Sequence, residues 1–136
     1  MTYAETTKVP VERSQTEVQK LLTALGAQRM AIYHQPEGVT VVFELGETYY
    51  RISAPPPHPV RDTQAARAQA ERAAWRALVL LVKAKKVAID QKITTVEREF
   101  MADTVMPDGS VLIDHHRAIV AHNYREGGVP RLGFDG

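Results

Sequence analysis

The residues best able to carry chemistry gather in three places along the chain. The first is Asp114-His115-His116 with His122, and Asp108 upstream. On a helix, His115 and His122 are seven apart and share a face. A metal site asks for two ligands at i, i+3 or i, i+4 and a third from elsewhere. The residue four before His122 is Ala118, which cannot ligate, so the cluster reads as a helix cap followed by surface histidines. There is no cysteine, which excludes disulfides, thiol catalysis and cysteine-based zinc sites. The chain also lacks a glycine-rich phosphate loop, a G-x-S-x-G elbow, an H-E-x-x-H motif and a clustered carboxylate pair. The expectation is a protein that is not an enzyme, with no cofactor and no metal.

The second place is the segment Asp62 to Lys92, which reads as one long helix. From Arg61 to Lys92 there are eight Lys/Arg against three acids, a local charge of +5 in a chain of net +1. The remaining residues therefore sum to −4. At ~100° per residue, Arg72, Arg76, Lys83 and Lys86 fall in one sector of ~80°. Trp75, Leu78, Leu81, Val82 and Ile89 occupy the opposite side, and Ala73, Ala77 and Ala84 fill much of the rest. The helix is thus expected to be buried over most of its circumference and to present one basic stripe. Such a stripe can track phosphates by releasing their counterions. The competing reading is a solvated face whose charges pair with acidic segments nearby. Lys85 projects among apolar neighbours and must extend to solvent or find a carboxylate.

The third place is the outer face of a small sheet. If Met30, Ile32, Val41, Phe43, Tyr50 and Ile52 point inward, then Arg29, Tyr33, Thr40, Glu44, Tyr49 and Arg51 point outward. Tyrosines between arginines can stack bases, as in single-strand binders. Cross-strand aromatic and charged pairs are equally an ordinary solvent face, and Glu44 sits in the middle.

The elements that position these residues can be read in order. Residues 1–13 look extended, with Pro10 confining them to an edge strand or arm. Ser14 and Glu17 form a capping box for a helix that carries Val18, Leu21, Leu22 and Leu25 and stops at Gly26. Strands follow over 28–34, 39–45 and 48–53, joined by turns at Pro36-Glu37-Gly38 and Gly46-Glu47. Residues 54–61, with Pro55-Pro56-Pro57-His58-Pro59, form a stiff connector. After the long helix, Thr94 and Glu97 cap a helix running to about Val105. Pro107-Asp108-Gly109 is a turn, Asp114 caps a last helix over 115–125, and a loose tail begins at Gly127. The fold class is α+β. A small antiparallel sheet, a three-stranded meander plus an N-terminal strand, is covered by one long helix, with short C-terminal helices.

The chain of 136 residues is expected to form a single domain. No stretch approaches the ~20 apolar residues of a membrane span, and the polar start is unlike a signal peptide, so the expected location is the cytoplasm. The single asparagine, Asn123, and the Ala/Arg/Val bias fit a GC-rich genome and, further out, a thermophile.

Four stretches together carry a resemblance: Thr6-Thr7-Lys8-Val9-Pro10-Val11-Glu12-Arg13-Ser14, Trp75-Arg76-Ala77-Leu78 on to Lys83-Ala84-Lys85, Ile93-Thr94-Thr95-Val96-Glu97-Arg98-Glu99-Phe100, and Pro107-Asp108-Gly109. The chain resembles a family of short bacteriophage and prophage proteins from GC-rich hosts. The resemblance implies a phage gene product in the host cytoplasm and supplies no mechanism. Members tend to carry tryptophan or leucine where this chain has Asp114-His115-His116, which argues further against a metal site there. The meander followed by a basic helix is also similar to the core of phage single-strand annealing proteins, at the level of fold alone.

Two functional expectations follow. One is a non-enzymatic phage accessory protein that binds single-stranded or structured nucleic acid, with Arg72, Arg76, Lys83 and Lys86 on phosphates and Tyr33, Tyr49, Arg29 and Arg51 as stacking groups. The other is a phage protein that binds a host protein, such as transcription machinery or a defence factor, using the acidic C-terminal part. From Ile93 onward that part holds seven acids and four basic residues. The long apolar helix also allows a homodimer.

Overall fold

The computed structural model describes residues 4–35, 38–55 and 61–133. Its elements are α1 (Val11–Ala24), β1 (Arg29–Gln35), β2 (Gly38–Leu45), β3 (Thr48–Ala54), α2 (Gln64–Asp90), α3 (Val96–Phe100) and α4 (Leu112–Gly127). Short 3-10 turns cover Ala4–Thr6 and Met101–Asp103. The class is α+β. The strand expected over 1–13 is absent among the described residues. Thr7 N–H instead bonds back to Ala4 O, Thr7 Oγ1 accepts from Val9 N–H, and this segment lies against α2 rather than along the sheet. The expected turn residues Pro36-Glu37, most of the proline connector and residues 134–136 lie outside the described residues.

Helix α1 starts three residues before the expected capping box. Pro10 takes the cap position with φ −61°, where its missing N–H costs nothing, and its carbonyl accepts from Ser14 N–H. Ser14 is therefore a fully buried residue of the helix interior and not its cap. The helix does end at the expected glycine. Gly26, at φ +109°, lets Ala27 N–H reach Leu22 O while its own N–H bonds Thr23 O, a Schellman closure.

The sheet is the antiparallel order β1-β2-β3. The β2–β3 hairpin pairs Leu45 with Thr48 across Gly46-Glu47, with φ +65° at Gly46. Strict alternation sends Val39, Val41 and Phe43 of β2, and Tyr50, Ile52 and Ala54 of β3, into the core. Against them lie Trp75, Leu78, Val79 and Val82 of α2, with Val18 and Leu22 of α1. Both helices thus cover the same face. The free edge of β3 is closed by the chain that follows α3: Thr104 bridges Tyr50, and Val105 N–H donates to Tyr49 O at 2.8 Å.

Length sets what α2 can bury. Its 27 residues span ~40 Å, whereas the eight-residue central strand spans ~27 Å. The last fully buried residue of the helix is Val82, and beyond it the helix overhangs the sheet. The chain then doubles back. Phe100 from α3 enters the core edge-on to Phe43, with centroids at 5.3 Å, and 6.0 Å from Tyr50. Lys85 reaches this return segment as its surroundings required. Its Nζ donates to Glu99 O at 2.7 Å, stands 3.7 Å from the Glu99 carboxylate and lies over the Phe100 ring. The cap of α3 is Thr95, whose hydroxyl accepts from Arg98 N–H, and not the expected Thr94. Helix α4 begins at Leu112, so Asp114 sits in its first turn instead of capping it.

At the end of α2, Lys92 occupies the same position that Gly26 holds after α1. Its φ is +60°, its N–H bonds Ile89 O, and Ile93 N–H bonds Ala88 O. A side chain in this left-handed conformation costs ~1–2 kcal/mol, which glycine avoids. Lys92→Gly is expected to raise stability by about 1 kcal/mol in urea titration, with no change in slope. Phe100→Ala, which opens a cavity against the stacked Phe43 and Tyr50 rings, is expected to cost about 3–5 kcal/mol in the same assay.

Candidate functional site

Helix α2 does bring its four basic residues to one side, but most of their charge is already engaged. The Arg76 side chain is only 12% exposed and donates to Glu17 of α1 at 3.0 Å. Arg72 holds Gln69 Oε1 at 2.5 Å, one turn away. Lys86 pairs with Asp90 at 2.6 Å across i, i+4. Of the four, Lys83 is exposed and the other three are half-buried. Two of the four cations are therefore matched by carboxylates, Arg76 by Glu17 of α1 and Lys86 by Asp90 of α2 itself.

The four sheet residues lie on the opposite layer. The meander places Arg29, Glu44 and Tyr49 in one cross-strand row and Tyr33, Thr40 and Ser53 in another. Arg29 donates to Glu44 at 2.6 Å and to the Tyr49 hydroxyl at 2.9 Å. The Tyr49 hydroxyl and then Arg29 hold the Glu44 carboxyl below its ordinary range, and Glu44 in turn raises the Tyr49 phenol. Arg51 is spent on Gly109 O at 2.8 Å, tying the 107–110 turn to β3. Tyr33 and Tyr49 are four residues apart along the sheet and two strands apart across it, roughly 16 Å. They cannot stack neighbouring bases. The eight candidate residues thus form two separate surfaces, on opposite sides of the sheet.

The histidine cluster is brought into contact with a residue that sequence reasoning passed over, Ser110. Asp108 Oδ1 accepts from both Ser110 N–H (3.0 Å) and Ser110 Oγ (2.6 Å). His115 Nε2 stands 2.6 Å from Ser110 Oγ and 3.3 Å from Asp108 Oδ2. Serine, histidine and aspartate are therefore adjacent, but not in the relay arrangement of hydrolases. There the two ring nitrogens divide the contacts to serine and aspartate. Here one nitrogen makes both, and the hydroxyl proton is directed at the carboxylate. The three groups clasp the turn before α4. His116 and His122 point elsewhere along an exposed helix, and no group of three ligating residues could hold a metal ion among those described.

A shallow cleft of about 350 Å³ lies between the segment before α1 and the first half of α2. Lys8 and Arg72 face it together with Glu12 and Glu71, so it offers no net charge to an ion.

What is left uncommitted is apolar. Leu81, expected in the core, is 42% exposed, and Leu80 and Val87 are 37% and 57% exposed. Ala77 and Ala84 are exposed as well, so the far side of α2 is open beyond Ala73 and not buried around most of its circumference. On α4, Ile113, Ile119, Val120 and Tyr124 are 40–59% exposed. The signal for these faces was present as helical periodicity. What the sequence could not supply is that one stripe of α2 would satisfy the sheet and leave the other bare. No helix among the described residues is long and apolar enough to cross a membrane. Comparison with protein-family models, curated proteins and solved structures finds no match to this chain.

The turn before α4 gives a pH test. The two bonds from Ser110 hold the Asp108 carboxyl down at about 2, from an ordinary 3.8. A lowered value means the ionised form stabilises the fold. The contribution is complete above a pH of about 4 and is lost as pH falls through the folded value. Carbon-detected NMR titration should find the Asp108 carboxyl midpoint near 2, and Ser110→Ala should return it toward 3.8.

Proposed function

We propose that this protein works by docking a protein partner through α4, as a non-enzymatic accessory factor in a phage-infected host cytoplasm. The observation that supports this reading is the exposure of α4. It is a helix of 16 residues in which every residue from Ile113 onward is exposed. Its attachment to the body is concentrated at its start, where it meets the 101–103 turn and Leu112 N–H bonds Thr104 O. At ~100° per residue, Ile119, Leu112, Val120, Ile113 and Tyr124 fall within ~140° of one another, with His116 and Asn123 among them. Asp114, His122 and Arg125 occupy the other side. An amphipathic helix of this pattern presents anchors at i and i+7 that fit a hydrophobic groove. Contiguous apolar groups on a water-facing surface mark interaction sites.

Nucleic-acid binding is the second reading, and one observation favours it. Arg72, Lys83 and Lys86 still share one flank of α2 over ~21 Å, within a segment of charge +5. The phosphate-tracking role falls to this flank, with Lys83 as its free cation.

The two readings separate in a pull-down with tagged protein from nuclease-treated bacterial host lysate. Wild type is expected to retain a protein that Val120→Asp/Tyr124→Ala loses, while both chains keep the same helicity by circular dichroism. Capture that the α4 variant does not reduce would sink the docking reading. Nuclease-sensitive capture would transfer the function to nucleic acid. Anisotropy on labelled single-stranded DNA between about 50 and 300 mM salt would then show a steep log–log slope that Lys83→Glu flattens.

A further inference from the structure

We infer that a second copy of this chain covers the far side of α2, and that the two helices cross as an antiparallel, two-fold pair centred near Val82. This surface is separate from the α4 face and does not depend on that reading.

The inference starts from spacing. Ala77, Leu80, Ala84, Val87 and Gln91 follow one another at intervals of three, four, three and four. That is the seam of a two-stranded helix pair, repeating every seven residues. Every residue of the seam is exposed. None is charged. The same face is closed further up the helix, where Ala73 is buried and Gln69 Nε2 donates to Thr7 O at 2.9 Å. The open stretch is therefore bounded, and it begins where the N-terminal segment stops covering α2.

Self-complementarity then selects the occupant. In an antiparallel pair, residues whose numbers sum to a constant face one another. With a sum of 164, Ala77 meets Val87 of the second copy and Leu80 meets Ala84. The reciprocal contacts follow by symmetry, because a two-fold interface uses the same patch twice. Each layer sets a small side chain against a larger one, the condition for close, void-free helix packing. A parallel pair would instead stack alanine on alanine and valine on valine, leaving gaps alternating with crowded layers.

The flanks agree. On one side Leu81 meets its own copy, which explains an exposed leucine with no role in the monomer's core. On the other side the symmetry brings Asp90 near Arg76 of the second copy, but each keeps its own partner, Lys86 and Glu17, so the contact adds no ion pair. The symmetry also brings Lys83 toward Lys83, a like-charge contact that two exposed lysines relieve by extending into water. The overhang supplies room, since α2 continues past the sheet and a second helix can lie along it without meeting the strands. The layers from Ala77 to Val87 give about three turns of helix on each side, below the ~1,200 Å² of a standard interface, so the pair should be weak and concentration-dependent in the micromolar range.

The chain has no cysteine, so engineered thiols report geometry without background. Light scattering coupled to size exclusion is expected to give twice the 15.2 kDa chain mass at ~200 µM and to fall toward the single mass on dilution. Leu81→Lys, a change at an exposed position, is expected to yield a folded monomer at every concentration. Ala77→Cys/Val87→Cys under mild oxidation should form a covalent dimer. Val87→Cys alone should not, because those residues lie ten positions apart across the two-fold, ~15 Å along the axis. Ile119→Glu on α4 should leave the dimer intact. A wild-type chain that stays at 15.2 kDa at ~200 µM overturns the proposal. So does cross-linking by Val87→Cys alone, or a dimer lost through α4 and not through Leu81. Should Leu81→Lys fail to fold, the cysteine pair decides by itself.

Discussion

The contact on which everything else depends is the burial of one stripe of α2 in the angle between the sheet and α1. Trp75, Leu78, Val79 and Val82 enter the core with Val18 and Leu22, and Trp75 is fully removed from water. Burying side chains of this size contributes roughly 1.5–3 kcal/mol each, enough to impose the helix's rotation about its own axis on the whole molecule. Once that rotation is set, every other residue of α2 has an assigned place. Arg76 is turned toward Glu17, Lys85 toward the returning α3, and Leu80, Ala84 and Val87 toward water.

The mismatch between the helix and the sheet it covers is the second determinant. A helix ~13 Å longer than the central strand must end in solvent or be wrapped by other chain. Both happen. On one side α3 folds back, packs Phe100 against the stacked Phe43 and Tyr50 rings, and uses Lys85 as a tether whose ammonium reaches Glu99 O while its stem stays apolar. The same return lays Thr104 and Val105 along β3 and protects that edge from pairing with foreign strands. On the other side nothing within the described chain returns, and an apolar stripe stays bare. The wrapped side belongs to the fold, and the bare side is free to serve association.

How far the sequence could be read follows from which signals are local. The meander was legible because alternation of period two, a glycine turn at Gly46 and β-branched residues in β2 all point the same way. The stop of α1 at Gly26 was legible because a left-handed C′ position calls for glycine. The start of α1 was not. Ser14 and Glu17 have the spacing of a capping box, yet Pro10 opens the helix a turn earlier and carries Ser14 into the core. The equivalent miss at Thr94 is one residue, decided by which hydroxyl can face Arg98 N–H. The surroundings of the candidate site were not legible for a different reason. Helical periodicity says which residues share a face, but not which carboxylate from elsewhere in the chain will meet that face. Glu17 lies 59 residues from Arg76 in sequence, and its approach turns a phosphate-binding candidate into an internal ion pair.

That pairing changes how the chain's charge should be understood. A local excess of +5 balanced by −4 elsewhere could mean a basic surface seeking polyanions or a structure that assembles its own counterions. Glu17 on Arg76 and Glu99 on Lys85 show the second pattern for two of the cations on α2, while Asp90, already counted in that +5, covers Lys86. Such pairs contribute only ~0.2–1 kcal/mol each where exposed, so their larger effect is on which surfaces stay adhesive. They neutralise the flanks of α2 while leaving its apolar seam uncharged. A neutralised flank no longer repels a second helix carrying the same residues, whereas an unpaired basic stripe would set the cations of two copies against each other. The pairing that occupies Arg76 and Lys86 thus also permits two such helices to lie side by side, with Lys83 opposing its own copy.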